Sequence, residues 1–267
     1  MRIGITDSGV GGLSVCAEVE ARLRGSPVQD DVELLYLNAA IEDDYAYNSM
    51  PDRQSKLQAF DRFLQSVQTR YQPDLLFIAC NTFSIRYHQL YGSEGRLGRL
   101  TRVVSMADCF AAMVEQEAER LAEKNVLVIG TEFTAGQSLY SDIVARACPG
   151  TTVSTVAATE LERKIARFGA WEGGTDPTLT GELRRAIERA QIAILACTCF
   201  PMVRKDLEAV FPHVSFLDPG AYGAGLMPRQ AVTKDNTLRV KVTGQAVSSA
   251  RVAEFAESYL GVSTCCT

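Results

Sequence analysis

The chain has 267 residues, of which 46% are hydrophobic and 22% are charged. These fractions are typical of a soluble globular protein and exclude a disordered or collagen-like chain. The 27 lysines and arginines against 32 aspartates and glutamates give a net charge of −5, and the basic residues are scattered, which argues against nucleic acid or an anionic membrane as the main partner. The longest apolar runs are too short to cross a bilayer, and no secretion leader precedes the first predicted strand, so we expect a cytoplasmic protein.

Short apolar strands alternate with amphipathic helices along the chain. The predicted strands are, in chain order, Arg2–Thr6, Val32–Leu37, Leu75–Ala79, Arg102–Ser105, Val126–Ile129, Val153–Val156, Ile192–Ala196 and Val214–Leu217. Apolar residues at three- and four-residue spacing predict the helices Leu13–Leu23, Asp52–Arg70, Asp108–Lys124, Ser138–Arg146, Glu160–Phe168, Thr180–Arg189 and Val203–Val210. The alternation predicts an α/β fold with mostly parallel sheets flanked by helices, in which ligands bind at the carboxyl ends of the strands.

The chain also shows a faint two-fold repeat. The segments Leu75–Thr82 and Ile192–Cys199 are both apolar strands that end in Ala-Cys and continue with polar residues. Their cysteines, Cys80 and Cys197, lie about half the chain apart. The repeat predicts two similar lobes, each with one thiol at a strand end, although alanine and cysteine also suit buried strand ends by chance. Loops are predicted at Gly92–Gly98 and Gly169–Thr175, and a frayed end at 261–267.

Eight cysteines are present, at Cys16, Cys80, Cys109, Cys148, Cys197, Cys199, Cys265 and Cys266. Without a secretion leader, a disulfide framework is not expected, and most of these residues should be small buried hydrophobes. Zinc binding by Cys197 and Cys199 is one alternative, but a C-x-C pair without a nearby histidine has poor metal-ligand spacing. The pair Cys265 and Cys266 is expected to be incidental.

The first candidate site is the run Asp7-Ser8-Gly9-Val10-Gly11-Gly12, at the turn from the first strand into the first helix. Backbone N–H groups exposed at such a turn favour an anion. The run lacks the third glycine of a dinucleotide site and the Gly-Lys-Ser/Thr of a phosphate loop, so a carboxylate is a better ligand than a nucleotide. Asp7 suits an ammonium group or a thiol proton, or it simply caps the helix.

The second and third candidate sites are the two cysteine motifs. Cys80 precedes a helix, whose N-terminal dipole is expected to lower the pKa of the thiol, while Asn81 and Thr82 offer donors to a carboxylate. A buried, inert cysteine is the alternative. Cys197 is followed by Thr198. The two histidines lack the setting of a nucleophile's base, so a Cys-His hydrolase is not expected.

Two thiols that work without a metal or a cofactor suit a two-base racemase. One thiolate removes a proton from carbon, and the opposite thiol delivers a proton to the other face. Donors such as Ser8, Asn81 and Thr198 are placed to stabilise the enediolate-like oxygens that form.

The sequence resembles the glutamate racemases of the cofactor-independent aspartate/glutamate racemase superfamily. The resemblance covers nearly the whole chain. It rests on Ile5–Val15, Ala79–Thr82, Ile129–Thr134 followed by Ser138 and Tyr140, Cys197-Thr198 before Phe200-Pro201, and Leu217–Gly220.

The resemblance implies an α/β protein of two similar lobes with the active site between them. The first lobe would hold residues 1–97 plus 208–267 and the second lobe residues 98–207. Cys80 and Cys197 would be the paired acid/base thiols, with Asp7 assisting. The substrate-binding residues would be Asp7, Ser8, Tyr47, Asn48, Asn81, Thr82, Thr198 and Cys199.

The implied activity is interconversion of L- and D-glutamate without cofactor or metal, supplying the D-form for peptidoglycan. Alternatives are a racemase, isomerase or decarboxylase of the same superfamily acting on aspartate or another carboxylate, and a binding protein on the same scaffold. The partner is then a small amino acid, and a homodimer is one possible assembly.

The chain departs from the family pattern at three places. Cys199 stands where the family usually has a histidine that assists the second cysteine. Phe83 stands at a position that is small in the family and is expected to narrow the pocket. The usual Pro-Tyr-Gly substrate loop reads Ala46-Tyr47-Asn48.

Overall fold

A computed structural model of the chain describes residues 1–24, 32–39, 52–92, 96–97, 101–167, 169–226, 238–244 and 265–266. The chain divides into two compact units, one of residues 1–105 with 224–267 and the other of residues 106–223. The strands are β1 Arg2–Asp7, β2 Val32–Asn38, β3 Leu75–Ile78, β4 Arg96–Leu97, β5 Thr101–Ser105, β6 Asn125–Gly130, β7 Thr152–Ala157, β8 Ile192–Ala196, β9 Ser215–Leu217, β10 Leu238–Gly244 and β11 Cys265–Cys266.

Helices connect the strands, as expected for parallel pairing. They are α1 Gly12–Arg24, α2 Arg53–Ser66, α3 Asn81–Tyr91, α4 Met106–Gln116, α5 Ala118–Leu121, α6 Glu132–Ala135, α7 Leu139–Ala147, α8 Thr159–Ala166, α9 Gly181–Arg189, α10 Arg204–Val210 and α11 Pro219–Leu226. A π-helical turn, Val67–Tyr71, extends α2, and short 3₁₀ turns lie at Gly173–Thr175 and Phe200–Val203.

The two units share the order of four parallel strands, β2-β1-β3-β5 in the first and β7-β6-β8-β9 in the second. Within the described residues, the first sheet runs β11-β10-β2-β1-β3-β5-β4, with only the β4–β5 pair antiparallel. The second sheet runs β7-β6-β8-β9, and all its pairs are parallel. In each unit the first strand is central, the second lies on one side, and the third and the next parallel strand lie on the other. The predicted α/β fold of two similar lobes is therefore confirmed, while the position of the active site between them stays a prediction.

The repeat seen in the sequence has a structural counterpart in the third strand of each unit. Cys80 comes two residues after the end of β3, and Cys197 directly follows β8. The two strands hold equivalent places, next to the central strand of their sheet. Each unit thus presents one thiol at the carboxyl end of its third strand, which is the edge where parallel sheets bind ligands.

Apolar side chains between strands and helices form the core of each unit. In the first unit Phe83 lies 4.7 Å from Phe60 and 6.3 Å from Phe63, measured between ring centroids, and all three are buried. Burying a phenylalanine contributes about 1.5–3 kcal/mol. The prediction that Phe83 narrows the pocket is corrected, because its ring joins α3 to α2 inside the core. In the second unit the core gathers β6 and β8 with α8, α9 and α10.

Several boundaries differ from the predictions. The predicted division after residue 97 differs from the observed one, because β5 pairs with β3 and belongs to the first unit. The predicted return at residue 208 also differs, because β9 pairs with β8 in the second unit. The predicted loop Gly92–Gly98 contains β4, and the predicted frayed end contains β11, which pairs with β10.

Within the ranges given above, no helix is both long and apolar enough to cross a membrane.

A buried carboxylate anchors the loop after α8 in the second unit. The side chain of Asp176 is fully buried, and its Oδ2 lies 2.7 Å from Lys164 Nζ. Its Oδ1 accepts hydrogen bonds from the backbone N–H and the hydroxyl of Thr178, at 3.0 and 2.6 Å. Burial acts to raise the pKa of Asp176, but the bonds from Lys164 and Thr178 outweigh it and hold the pKa at about 2.

Asp176→Asn is expected to lower the free energy of unfolding at pH 7 by about 1–2 kcal/mol, because a charge-assisted pair is lost. The carboxylate contributes its full stabilisation above the pKa of the unfolded chain, and the contribution falls as the pH drops from about 4 towards 2. Urea unfolding at pH 7 and pH 3 should therefore show a smaller difference at the lower pH. Asp142→Asn, at an exposed position of the same unit, is the control, and equal stability of the Asp176 variant and wild type at pH 7 would contradict the account.

Candidate active site

The turn after β1 packs directly against the start of α1. A Cβ atom at Gly12 would lie 2.5 Å from the Cβ of Asp7 and 3.1 Å from Cε2 of Tyr36. Contacts under 3.0 Å are not tolerated, so glycine at this position allows the helix to begin against Asp7. The sequence predicted a tight glycine turn here, and the structure adds the reason for the last glycine of the run.

Asp7 is held inside this turn. Its carboxylate is buried, and Oδ1 accepts a hydrogen bond from the N–H of Gly9 at 2.8 Å. Gly9 lies three residues before Gly12, the first residue of α1, so this bond stabilises the turn that leads into the helix. The carboxyl group of Asp7 is thereby held in place at the carboxyl end of the central strand.

Cys80 lies beside the same turn. The N–H groups of Ala79 and Cys80 both reach the carbonyl of Thr6, at 2.9 and 3.4 Å, which brings the end of the β3 segment against β1. The Sγ of Cys80 lies 3.2 Å from the Oγ of Ser8. Cys80 is also the N-cap residue of α3, so the thiol lies beside both the N-terminus of this helix and the turn after β1.

The expectation that the helix lowers the pKa of Cys80 is wrong. Burial raises the pKa of the thiol above its ordinary value, and the negative charge of Asp7 raises it further. Hydrogen bonding by Ser8 and by the backbone N–H of Phe83 favours the thiolate, but it does not outweigh these two effects. In the free protein Cys80 is therefore a protonated thiol at neutral pH.

Asn81 and Thr82 complete the first group of predicted residues. They are the first two residues of α3, and both are buried. The structure therefore brings five predicted residues of the first unit to one place. They are Asp7, Ser8, Cys80, Asn81 and Thr82.

The second group lies where β8 ends in the second unit. Cys197, Thr198 and Cys199 are all buried and lead into the 3₁₀ turn that begins at Phe200. The N–H of Phe200 donates to the carbonyl of Cys197 at 3.1 Å, which tightens this turn. Both cysteines belong to the hydrophobic core of the unit, together with Phe200.

Two predicted site residues, Tyr47 and Asn48, lie outside the described residues. For the zinc alternative, the described part of the chain contains no group of three or more histidine, cysteine or acidic side chains that could hold a metal ion. The two histidines have other contacts, His88 with the hydroxyl of Ser105 at 2.8 Å and His213 with the carbonyl of Glu188 at 3.2 Å.

Two polar residues at strand ends were not predicted as site residues. Asn38 ends β2, is buried, and lies in register with Asp7. Thr131 follows β6, whose last residue Gly130 is in register with Ala196, the residue before Cys197. The signal that could have found both is a polar residue at the carboxyl end of an apolar strand.

Comparison with known proteins identifies the family. The model of the Asp/Glu/Hydantoin racemase family matches residues 3–227. The chain belongs to this family. It is 31% identical over 216 residues to the glutamate racemase of Campylobacter jejuni, covering 79% of this chain and 78% of that protein. It is 27% identical over 219 residues to the glutamate racemase of Chlorobaculum parvum, covering 81% and 74% of the two chains.

Solved structures of racemases share the fold of this family member. The crystal structure of the Campylobacter jejuni glutamate racemase matches with a TM-score of 0.69 and 21% identity, covering 98% of this chain and 99% of that one. The Escherichia coli glutamate racemase, solved with L-glutamate and the activator UDP-MurNAc-ala, matches with a TM-score of 0.66 and 22% identity, covering 99% and 97%.

Proposed function

We propose that the chain is a cofactor-independent glutamate racemase that interconverts L- and D-glutamate in the cytoplasm and supplies D-glutamate for peptidoglycan. The observation that carries the proposal is the placement of the two thiols. Cys80 and Cys197 follow equivalent strands of the two units. Relatives named glutamate racemase support the choice of substrate.

The proposed reaction uses one thiol for each face of the α-carbon. A thiolate takes the α-proton, and the electron pair of the C–H bond moves onto the carboxylate to form an enediolate-like intermediate. The other cysteine then gives its thiol proton to the opposite face of the carbon. In the family resemblance Cys80 acts on the D-form and Cys197 on the L-form, while Asn81, Thr82 and Thr198 donate hydrogen bonds to the developing charge.

Because the pKa of Cys80 is raised in the free protein, we expect substrate binding to help form the thiolate that acts as the base. The free protein keeps this thiol protonated because it is buried and because Asp7 is negatively charged. The α-ammonium group of an amino acid bound beside Asp7 offsets that charge and so lowers the pKa of the thiol. Binding of a substrate with an ammonium group thereby favours the thiolate form of Cys80, which abstracts the α-proton.

Cys199, at the usual histidine position, favours one second candidate, a racemase for aspartate or another carboxylate. A panel of L- and D-amino acids, each incubated with purified protein and followed by circular dichroism, separates the two. We expect the signals of both glutamate enantiomers to decay to zero and those of aspartate to persist. Decay of aspartate alone would replace glutamate by the second candidate, and persistence of every signal would overturn both.

A further inference from the structure

We infer that Tyr36 is a positioning residue for the Cys80 half of the site, because its hydroxyl fixes the turn that places Ser8 and Asp7 around the thiol. The expected effect of Tyr36 on the rate of racemisation rests on the proposed function. Its expected effect on the reactivity of the Cys80 thiol does not.

Tyr36 lies on the face of the sheet that carries the turn between β1 and α1. It is fully buried in β2, where it is in register with Ile5, while Asn38, two residues on, is in register with Asp7. Side chains two residues apart on a strand project to the same face of the sheet. Tyr36 and Asp7 therefore project from the face on which the turn and α1 begin.

Tyr36 contacts the turn at both ends. Its hydroxyl donates a hydrogen bond to the carbonyl of Gly9 at 2.7 Å. Its ring lies against Gly12, where an added Cβ would come within 3.1 Å of Cε2. A buried tyrosine needs a partner for its hydroxyl, and here the partner is the backbone of the site turn.

Gly9 is consequently held from two sides. Asp7 accepts from its N–H at 2.8 Å, and Tyr36 donates to its carbonyl at 2.7 Å. Ser8, between Asp7 and Gly9, is thereby kept with its Oγ 3.2 Å from Cys80 Sγ.

Tyr36→Phe removes the hydroxyl and keeps the ring. Tyr91→Phe is the matched control, because the Tyr91 hydroxyl donates to Asp61 Oδ1 at 2.9 Å between α3 and α2, in the same unit but in a different contact. The first measurement is the rate at which iodoacetamide alkylates Cys80 between pH 7 and pH 10, read from the Cys80 peptide by mass spectrometry. It needs no substrate.

In Tyr36→Phe the loosened turn weakens the hydrogen bond from Ser8, which favours the thiolate, but it also admits water to the thiol and reduces the effect of burial, which is the larger influence on the pKa. We expect Cys80 to be alkylated about threefold faster at each pH, the equivalent of half a pKa unit. Tyr91→Phe should match wild type. A Tyr36→Phe rate equal to that of wild type, or an equal acceleration in Tyr91→Phe, would overturn the inference.

Two further measurements separate positioning from packing. If Tyr36 acts through the turn, the effects of Tyr36→Phe and Ser8→Ala on the alkylation of Cys80 should be non-additive in the double variant, whereas additive effects would contradict the inference.

For racemisation we expect Tyr36→Phe to lower kcat about tenfold with KM changed less than about twofold. A wild-type protein that fails to racemise glutamate would overturn the proposed function, and the alkylation result would still decide the role of Tyr36.

Discussion

Replacing Cys80 with serine is expected to lower the rate of glutamate racemisation by about 10²–10⁴-fold, the usual contribution of a positioned acid or base. The serine hydroxyl occupies nearly the same space, but its proton is held far more tightly than that of a thiol, so it cannot take the α-proton at neutral pH. Cys197→Ser should have an effect of the same size, because the reaction needs both groups. Circular dichroism with D- and L-glutamate measures both variants.

The control for these variants is the same chemical change at another buried cysteine. Cys148 is buried in the second unit, and its Sγ lies 3.8 Å from the carbonyl of Ala118. Cys148→Ser should racemise glutamate at close to the wild-type rate. Near-normal turnover by both Cys80→Ser and Cys197→Ser would contradict the two-thiol mechanism.

Asp7→Asn is expected to change the reactivity of Cys80 and the racemase activity in opposite directions. The amide oxygen of asparagine can still accept the N–H of Gly9, so the turn is kept. Loss of the negative charge removes the second largest cause of the raised pKa of Cys80, so the thiol should alkylate faster at a given pH. Racemisation should nevertheless fall about 100-fold, because the substrate ammonium group loses its counter-charge.

Glu20→Gln is the matched control for this experiment. Glu20 lies in the same unit and raises the pKa of a different thiol, that of Cys16, where burial is the larger cause and the pKa reaches about 12. Its replacement should leave both the alkylation of Cys80 and racemisation unchanged. An unchanged Cys80 alkylation profile in Asp7→Asn, or full racemisation by that variant, would contradict the assigned role of Asp7.

The order of strands and helices could be predicted from the sequence because each buried strand is a short apolar run with a polar end. The strand β10 was missed, although Leu238-Arg239-Val240-Lys241-Val242-Thr243 alternates apolar and polar residues as a half-buried strand does. The unit boundaries also differ from the predicted ones. They depend on which strands pair, and pairing such as that of β3 with β5 is a long-range choice that local patterns do not encode.

The candidate site shows the same limit. Asp7, Ser8 and Cys80 could be named from their motifs, since each lies at the end of a strand or just after it. The direction of the Cys80 pKa could not, because it depends on how far burial and a neighbouring charge outweigh a helix N-terminus. Tyr36 looked like a core aromatic residue, and its hydroxyl bonds a carbonyl 27 residues earlier in the chain. Phe83 looked like a pocket residue because its packing on α2 cannot be read from one motif.

The central claim is two-base racemisation of glutamate, and the hydrogen at the α-carbon tests it most directly. L-Glutamate is incubated with the purified protein in heavy water, and both enantiomers are separated and analysed early in the reaction. We expect D-glutamate to appear with deuterium at its α-carbon, while the remaining L-glutamate still carries hydrogen. Failure to form D-glutamate, or D-glutamate that retains the hydrogen of the substrate, would contradict two-base racemisation.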